Sequence, residues 1–362
     1  MRRILFISKN LEIGGMEKAL VILLNTLCKR NYEITLILEE KKGVLLEQLD
    51  SNITIEEYSL SYNKVVFFRK CFNFIHKTLW KFKNKKKYDF SCNYATYSII
   101  GSYLARIASS NNSLYVHSNY YDAFKHDKKA FKIFFDSLSV SEFKNVLFVS
   151  NESKNSFISI YKSLNEKCKV INNLIDYNKI INLSKEKIDI QFPKDKINFI
   201  FVGRLDNDSK NFDRMLKAFN IAFNKNENIN LYMVGDGKDK HLCEKLINKY
   251  NLNKNVFLLG KKVNPYPYIY KSDVFLLTSN YEGYPVVLTE SLVLNKQMIS
   301  TVSVSDSEIN ASDYIMIVAK DERVIAEAIL NTKKEIKNYS IDFESINNTR
   351  INNLISIIEN YK

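Results

Sequence analysis

Along the chain, short apolar runs recur, and most are followed by a polar or glycine-containing loop and then a segment with apolar residues at helical spacing. RILFIS (Arg3–Ser8) predicts a buried strand, LEIGGMEK a loop, and Met16–Arg30 a helix with one broad apolar face. EITLIL (Glu33–Leu38) is a second strand, followed by ITIEEY, DFSCNY, SLYVHS and NVLFVS, with helices between most of them. The pattern then restarts. KINFIFVG (Lys196–Gly203), INLYMVG, NVFLLG, DVFLLTS (Asp273–Ser279), QMISTV and YIMIVA read as strands; Asn211–Phe223 and about Lys238–Tyr250 read as helices. Strands alternating with helices predict parallel sheets covered by helices, hence an α/β fold. The polar stretch Asn173–Lys196 separates two such series and reads as a linker. The last segment, Ile346–Lys362, is amphipathic and helical. Two parallel-sheet domains suit a ligand held in the cleft between them.

With 362 residues there is material for two cores. The aromatic share, 13%, excludes a disordered chain. Formal charge is +13 and uneven: residues 1–190 hold 30 Lys/Arg against 19 Asp/Glu, and residues 191–362 hold 23 against 21. The basic half suits nucleic acid, an anionic membrane or a phosphorylated substrate. No zinc-finger, KH-like or RNP-like pattern supports nucleic acid. Ser61–Phe90 interleaves Lys and Arg with aromatics and carries KNKKK (Lys83–Lys87) near its end. Such a segment can meet a headgroup layer, or its Phe stripe can pack on the sheet beneath it. The scattered Cys28, Cys71, Cys92, Cys168 and Cys243 form no CxxC pair, which argues against a zinc site or a disulfide framework. The N-terminus reads as a strand rather than a signal peptide, and no run is long enough to span a bilayer. A reduced cytoplasmic setting follows as the expectation. A two-domain dehydrogenase and a periplasmic-type binding protein share the two-domain pattern, and an N-terminus that does not read as a signal peptide disfavours the latter.

Candidate chemistry collects at the C-terminal ends of strands, where open α/β sheets bind ligands. YEGYPVVLTES (Tyr281–Ser291) places Glu282 in a loop and Glu290 eight residues on, in the helix that follows. A helix N-terminus there attracts an anion such as a diphosphate, and ionised carboxylates accept hydrogen bonds from hydroxyls. A diphosphate flanked by polyols describes a nucleotide sugar; a loop acid and a surface helical acid beside an ordinary turn is the plainer alternative. VGRLDNDSKN (Val202–Asn211) offers Arg204 and Lys210 to phosphates. His117 ends an apolar strand and is a candidate for bonding a sugar hydroxyl. Gly14 and Gly15 follow the first strand without completing a GxGxxG fingerprint. Gly235 and Gly237, in VGDGKDK, read as turn residues with a wall-forming role. No HExxH, P-loop or GxSxG motif is present, and the DND at Asp206–Asp208 sits where positive potential is expected, so no metal site is assigned.

With these motifs together the chain resembles, over nearly its full length, the retaining GT-B glycosyltransferases of family 4, the glycosyl transferases group 1 type. GGMEKAL, YVHSNY, VGRLDNDSKNFDRMLKAF, LYMVGDGKDKHL and YEGYPVVLTESLVLNKQMIST carry the resemblance. It implies two Rossmann-like domains facing a central cleft: residues 1–180 for the acceptor, 181–345 for the donor, and a C-terminal helix, 346–362, packing back on the first domain. It implies Glu282 on the donor sugar, Glu290 on the ribose, and Arg204 and Lys210 on the phosphates. Gly15, Gly203 and the backbone of Gly283, Tyr284, Pro285 and Val286 would approach the diphosphate, with His117 near the sugar. No cofactor or metal is implied. The co-substrate would be a UDP-sugar, with a GDP-sugar as the alternative. The resemblance points to bacterial capsule or surface-polysaccharide enzymes, peripheral on the inner face of the membrane, with a lipid-linked glycan as acceptor. Alternatives are a soluble protein or metabolite acceptor, a non-catalytic nucleotide-sugar-binding module, and an epimerase. Two departures bear on sugar identity: Asn295 stands where the family usually has glycine, and VSVSDSE (Val302–Glu308) replaces a glycine pair.

Overall fold

The computed structural model describes residues 1–12, 14–58, 60, 64–304, 306, 308–310, 313–335 and 337–359. The head of the basic segment at 61–63, parts of the loop at 305 and 307, and the last residues of the expected C-terminal helix, 360–362, lie outside them. The chain divides into two compact units: Met1–Leu174 with Ser345–Lys362, and Ile175–Glu344.

In the first unit, strands β1 (Arg2–Ser8), β2 (Tyr32–Leu38), β3 (Thr54–Glu57), β4 (Phe90–Asn93), β5 (Asn112–Val116), β6 (Asn145–Phe148) and β7 (Cys168–Val170) form a sheet in the order β3-β2-β1-β4-β5-β6-β7. All its pairings are parallel. Helices α1 (Gly15–Cys28), α2 (Val66–Asn84), α3 (Ile99–Ala108), α4 (Tyr120–Ala123), α5 (Lys128–Ser137) and α6 (Asn151–Ile160) connect them. The continuous apolar runs follow from burial on both faces: Ile4–Ile7 and Leu114–Val116 are buried throughout. The short β7, with only Val170 apolar beyond its cysteine, has no apolar run to announce it.

The second unit holds α7 (Tyr177–Leu183), β8 (Ile197–Val202), α8 (Asn207–Lys210), α9 (Phe212–Phe223), β9 (Ile229–Val234), α10 (Lys240–Lys249), β10 (Val256–Gly260), α11 (Tyr266–Lys271), β11 (Val274–Leu277), α12 (Val286–Val293), β12 (Gln297–Ser300), β13 (Ile315–Ile317) and α13 (Glu322–Asn331). Its parallel sheet runs β10-β9-β8-β11-β12-β13. The strand order reverses between β8 and β11, a topological switch point of the kind at which open α/β sheets bind ligands. Both sheets, with their helices, form the two Rossmann-like halves of a GT-B fold. Within the polar stretch read as a linker, α7 forms and packs against α11 and α12.

Helix α14 (Phe343–Glu359) begins three residues before the expected start. From Ser345 on it belongs to the first unit. Arg350, 1% exposed, donates there to the Asn173 carbonyl. Asn111 Nδ2 donates to the carbonyls of Ile357 (2.9 Å) and Ile358 (3.2 Å) in the last turn of α14. Helix α2 departs from the reading in which its phenylalanines cover the sheet. Trp80 and Asn84 face inward, while Phe67, Phe68, Phe72, Phe74, Ile75, Leu79 and Phe82 are all exposed.

Candidate active site

The loop after β8 is shaped by backbone contacts. Gly203 N–H donates to Val234 O (3.0 Å), Leu205 N–H to Asp236 O (3.0 Å) and Asp239 N–H back to Leu205 O (3.0 Å). The loop after β9 therefore lies directly on the loop after β8. A Cβ at Gly235 would stand 1.8 Å from the Gly203 carbonyl oxygen, and one at Gly237 2.4 Å from that of Leu205. Gly235 also has φ +149°, where a side chain is strained. These glycines are close-approach residues rather than free turn formers. Downstream, Asp206 caps α8 by accepting from Asp208 N–H and pairs with Lys238 at 3.3 Å. That use of Asp206 accounts for one carboxylate of the DND run.

Lys210 closes α8, and the loop after β11 is stitched to it. Thr278 Oγ1 donates to the Asn211 carbonyl (3.0 Å) and lies 3.2 Å from that of Lys210. Asn280 N–H donates to Ser209 O (2.8 Å) and its side chain to Asp208 O (2.8 Å). Arg214, from α9, reaches over to Thr278 O (3.1 Å) and Asn280 Oδ1 (2.9 Å). The outcome is a direct ion pair between Lys210 Nζ and Glu282, both mostly buried, with Ser279 Oγ donating to the same carboxylate oxygen at 2.7 Å. Arg204 is exposed. It stands near Tyr281, whose phenol is pushed up to about 12 by burial and by Asp208 and Asp206, against the pull of Arg204.

After the Gly283–Pro285 turn the chain enters α12 at Val286. The Tyr284 side chain turns inward. Its O–H donates to Asp306 (2.6 Å) and accepts from Thr289 (3.2 Å), tying the turn to the loop after β12. Glu290, on the second turn of α12, is buried and accepts from the Tyr266 O–H at 2.8 Å. Arg204, Lys210, Glu282, Gly283 and Glu290 thus all lie on β8, β11 and their following loops and helices, around one switch point.

The first unit carries Gly15 and His117. Gly14 caps α1 and Gly15 opens it; a Cβ on Gly14 would meet the Glu17 carboxylate at 2.1 Å. His117 follows β5, its ring stacked on Tyr115 (4.6 Å, 14°) and against Tyr94 (4.2 Å). Its Nε2 is buried with no hydrogen-bond partner, and burial pulls the imidazole pKa down to about 3. An enclosed neutral ring with an unused polar atom can meet an uncharged hydroxyl without the cost of burying a cation.

Sequence reasoning missed Thr278, Asn280, Arg214 and Tyr266. The polar TSN directly after an apolar strand was the available signal for the first two. Arg214 and Tyr266 gave none, because their roles depend on acceptors 64–66 and 24 residues away. Among the described residues, no group of three or more His, Cys, Asp and Glu could hold a metal ion.

Residues 184–339, the stretch holding Arg204, Lys210, Glu282 and Glu290, match the family model "Glycosyl transferases group 1". Over those residues, a little under half of its length, the chain is similar to the group 1 (GT4) glycosyltransferases, and its two units have the Rossmann-like sheets of a GT-B fold. Two curated relatives match at 35% identity, and the chain spans only 39% and 35% of their lengths. One of them is the N-acetylgalactosamine-N,N'-diacetylbacillosaminyl-diphospho-undecaprenol 4-alpha-N-acetylgalactosaminyltransferase of Campylobacter jejuni, aligned over 38% of this chain. A second C. jejuni enzyme, the GalNAc-alpha-(1->4)-GalNAc-alpha-(1->3)-diNAcBac-PP-undecaprenol alpha-1,4-N-acetyl-D-galactosaminyltransferase, is 26% identical over 94% of this chain and 95% of its own length. Among solved structures, Anabaena HepE in complex with UDP and glucose superposes with a TM-score of 0.74 at 16% identity, covering 98% of this chain and all of that one. That last likeness is one of fold. The family match falls on the second unit, and the similarity of the first unit rests on the longer, weaker alignment and on the fold.

Proposed function

We propose that the protein transfers a hexose or N-acetylhexosamine from a nucleoside diphosphate sugar to a hydroxyl of a glycan acceptor, with retention and without a divalent metal. The observation behind this reading is the Lys210–Glu282 pair beside Arg204 at the β8/β11 switch point, with Glu290 in the next helix. Arg204 and Lys210 would neutralise charge growing on the leaving β-phosphate, helped by the start of α12. Glu282 would accept from the sugar's hydroxyls and Glu290 from the ribose. Gly15, Gly203 and the Gly283–Val286 backbone would admit the diphosphate, and neutral His117 would bond a sugar hydroxyl. With no carboxylate assigned to the anomeric carbon, the departing phosphate takes the acceptor proton on the same face. Residues 1–180 would bind the acceptor and 181–345 the donor. UDP is the first donor base to test, since HepE is solved with it. The printed names of the C. jejuni relatives, which act on undecaprenol-diphosphate glycans, support a lipid-linked acceptor in surface-polysaccharide assembly. Incubation with labelled UDP- and GDP-sugars and membrane extract tests this: label should enter the lipid phase. Label in soluble protein or metabolite, binding without turnover, or interconversion of free donors would each replace the reading.

We further propose that the protein works peripherally on the inner face of the membrane, through α2. Among the described residues no helix is long and apolar enough to cross a membrane. At 3.6 residues per turn, the exposed Phe, Ile and Leu side chains of α2 fall on one arc of roughly 160°, opposite Trp80 and Asn84, with only Val66 of the first turn outside it. Phe82, Phe74 and Phe67 are 92%, 72% and 69% exposed. Arg69 and Lys83 flank one edge of the arc, Lys70 and Lys81 the other, and residues 64–88 hold nine Lys/Arg and no Asp/Glu. An apolar face bordered by cations suits a helix lying in the plane of an anionic headgroup layer. A second copy would set two cationic faces against each other. Flotation with anionic and neutral vesicles tests this: Phe74→Asp with Phe82→Asp should abolish binding to both, and charge reversal of Lys83, Lys85, Lys86 and Lys87 should remove the preference for anionic lipid. Equal flotation of wild type and the Phe variants would dismiss it, as would self-association lost in those variants.

A further inference from the structure

We infer that Tyr266 is a positioning residue for the nucleotide: its phenol holds Glu290 in the orientation in which that carboxylate receives the ribose hydroxyls. The inference rests on the assignment of Glu290 to the ribose made above. Tyr266 opens α11, a different element from the one that carries Glu290, and no motif links the two. Its O–H donates to Glu290 Oε1 at 2.8 Å, and both side chains are buried. Burial, then the negative charge of Glu290 and the hydrogen bond to it, hold the phenol well above its ordinary pKa, so it stays a donor at any working pH. Asp176, at the cap of α7, adds to the same effect.

Tyr266 is itself fixed. Its backbone N–H donates to Asn264 Oδ1 (3.1 Å), while Asn264 Nδ2 donates to Leu183 O (2.9 Å) and Glu186 (2.8 Å) at the end of α7. The helices α7, α11 and α12 pack together pairwise, so the phenol is anchored from two elements before it meets the third. A glutamate side chain has three rotatable bonds. Pinning one oxygen from a rigid ring removes most of that freedom before ligand arrives, which lowers the ordering cost of binding. A charge-assisted bond from a buried donor also keeps the carboxylate from turning toward solvent.

The test uses UDP and its 2′,3′-dideoxy analogue on the full chain, by calorimetry. The ratio of their affinities reads the ribose contact alone, and a merely structural defect would weaken both ligands alike. Tyr266→Phe removes one oxygen, and its melting temperature verifies the fold. The ratio should fall by about 3- to 10-fold in Tyr266→Phe, less than the roughly 10- to 150-fold for losing a direct hydrogen bond to a charged group, because Tyr266 acts on the ribose only through Glu290. Glu290→Gln should lower it at least as far, and the double variant should match Glu290→Gln, because both changes act on one contact. kcat at saturating donor should move much less than KM. A wild-type ratio in Tyr266→Phe, with a collapsed ratio in Glu290→Gln, overturns the role of Tyr266 and leaves the ribose assignment standing. A wild-type ratio in Glu290→Gln overturns that assignment and the inference with it.

Discussion

Gly235→Ala tests whether the close approach of the β8 and β9 loops shapes the site. The added Cβ would sit 1.8 Å from the Gly203 carbonyl oxygen, where real Cβ contacts stay beyond 3.0 Å, so one backbone must retreat by about 1.2 Å. Neither is free to do so cheaply. Gly203 N–H is bonded to Val234 O at 3.0 Å and Gly235 N–H to Gly260 O at 2.9 Å. Giving up one such bond costs about 1 kcal/mol. Holding an alanine in a backbone region reserved for glycine costs a further ~1–3 kcal/mol. A total loss of about 2–4 kcal/mol is expected from these two terms. The functional effect should exceed what the stability loss implies, because Gly203 leads directly into Arg204 and a misplacement of about 1 Å can cost ~10²-fold in rate. Urea unfolding gives the first quantity, and steady-state turnover at a temperature where the variant is fully folded gives the second. Gly260→Ala is the internal control: its φ is also positive, +68°, but a Cβ there meets nothing within 4 Å. It should lose ~1–2 kcal/mol of stability, the cost of the left-handed region alone. If Gly235→Ala unfolds like Gly260→Ala and turns over at the wild-type rate, the loop contact does not position the site.

Arg204→Ala and Lys210→Ala should each lower turnover by roughly 10²-fold, the scale of removing one preorganised donor to a developing anion, with unchanged circular dichroism. Near-wild-type kinetics in both would remove them from the phosphate site. Because the folded pKa of His117, about 3, lies below its ordinary 6.5, the native state binds fewer protons between those values. Its contribution to stability is therefore present above pH 6.5 and lost as pH falls toward 3. His117→Asn should flatten that part of a urea-midpoint profile measured from pH 7.5 to 4. An identical profile would show that the ring titrates normally. Exhaustive EDTA treatment should leave transfer to a soluble acceptor intact. Loss of activity restored by Mg²⁺ or Mn²⁺ would refute the assignment of charge neutralisation to Arg204 and Lys210.

The amino-acid sequence by itself determined the two strand–helix series, because strands buried on both faces must be apolar throughout while their loops must not be. It also placed Glu282 and Glu290 on a loop and the next helix, since the GYP turn and the run after it leave few other conformations. Local spacing does not encode which side of an amphipathic element faces inward. The α2 phenylalanines fit a helix packed on a sheet as well as one turned outward, and only the packing of Trp80 and Asn84 against the domain separated the two. The Arg214 brace across Thr278 and Asn280, the Tyr266 bond to Glu290 and the contact that forbids a side chain at Gly235 join residues dozens of positions apart. Such contacts arise when strands distant in sequence become neighbours, as β8 and β11 do, and so they are decided by tertiary structure alone.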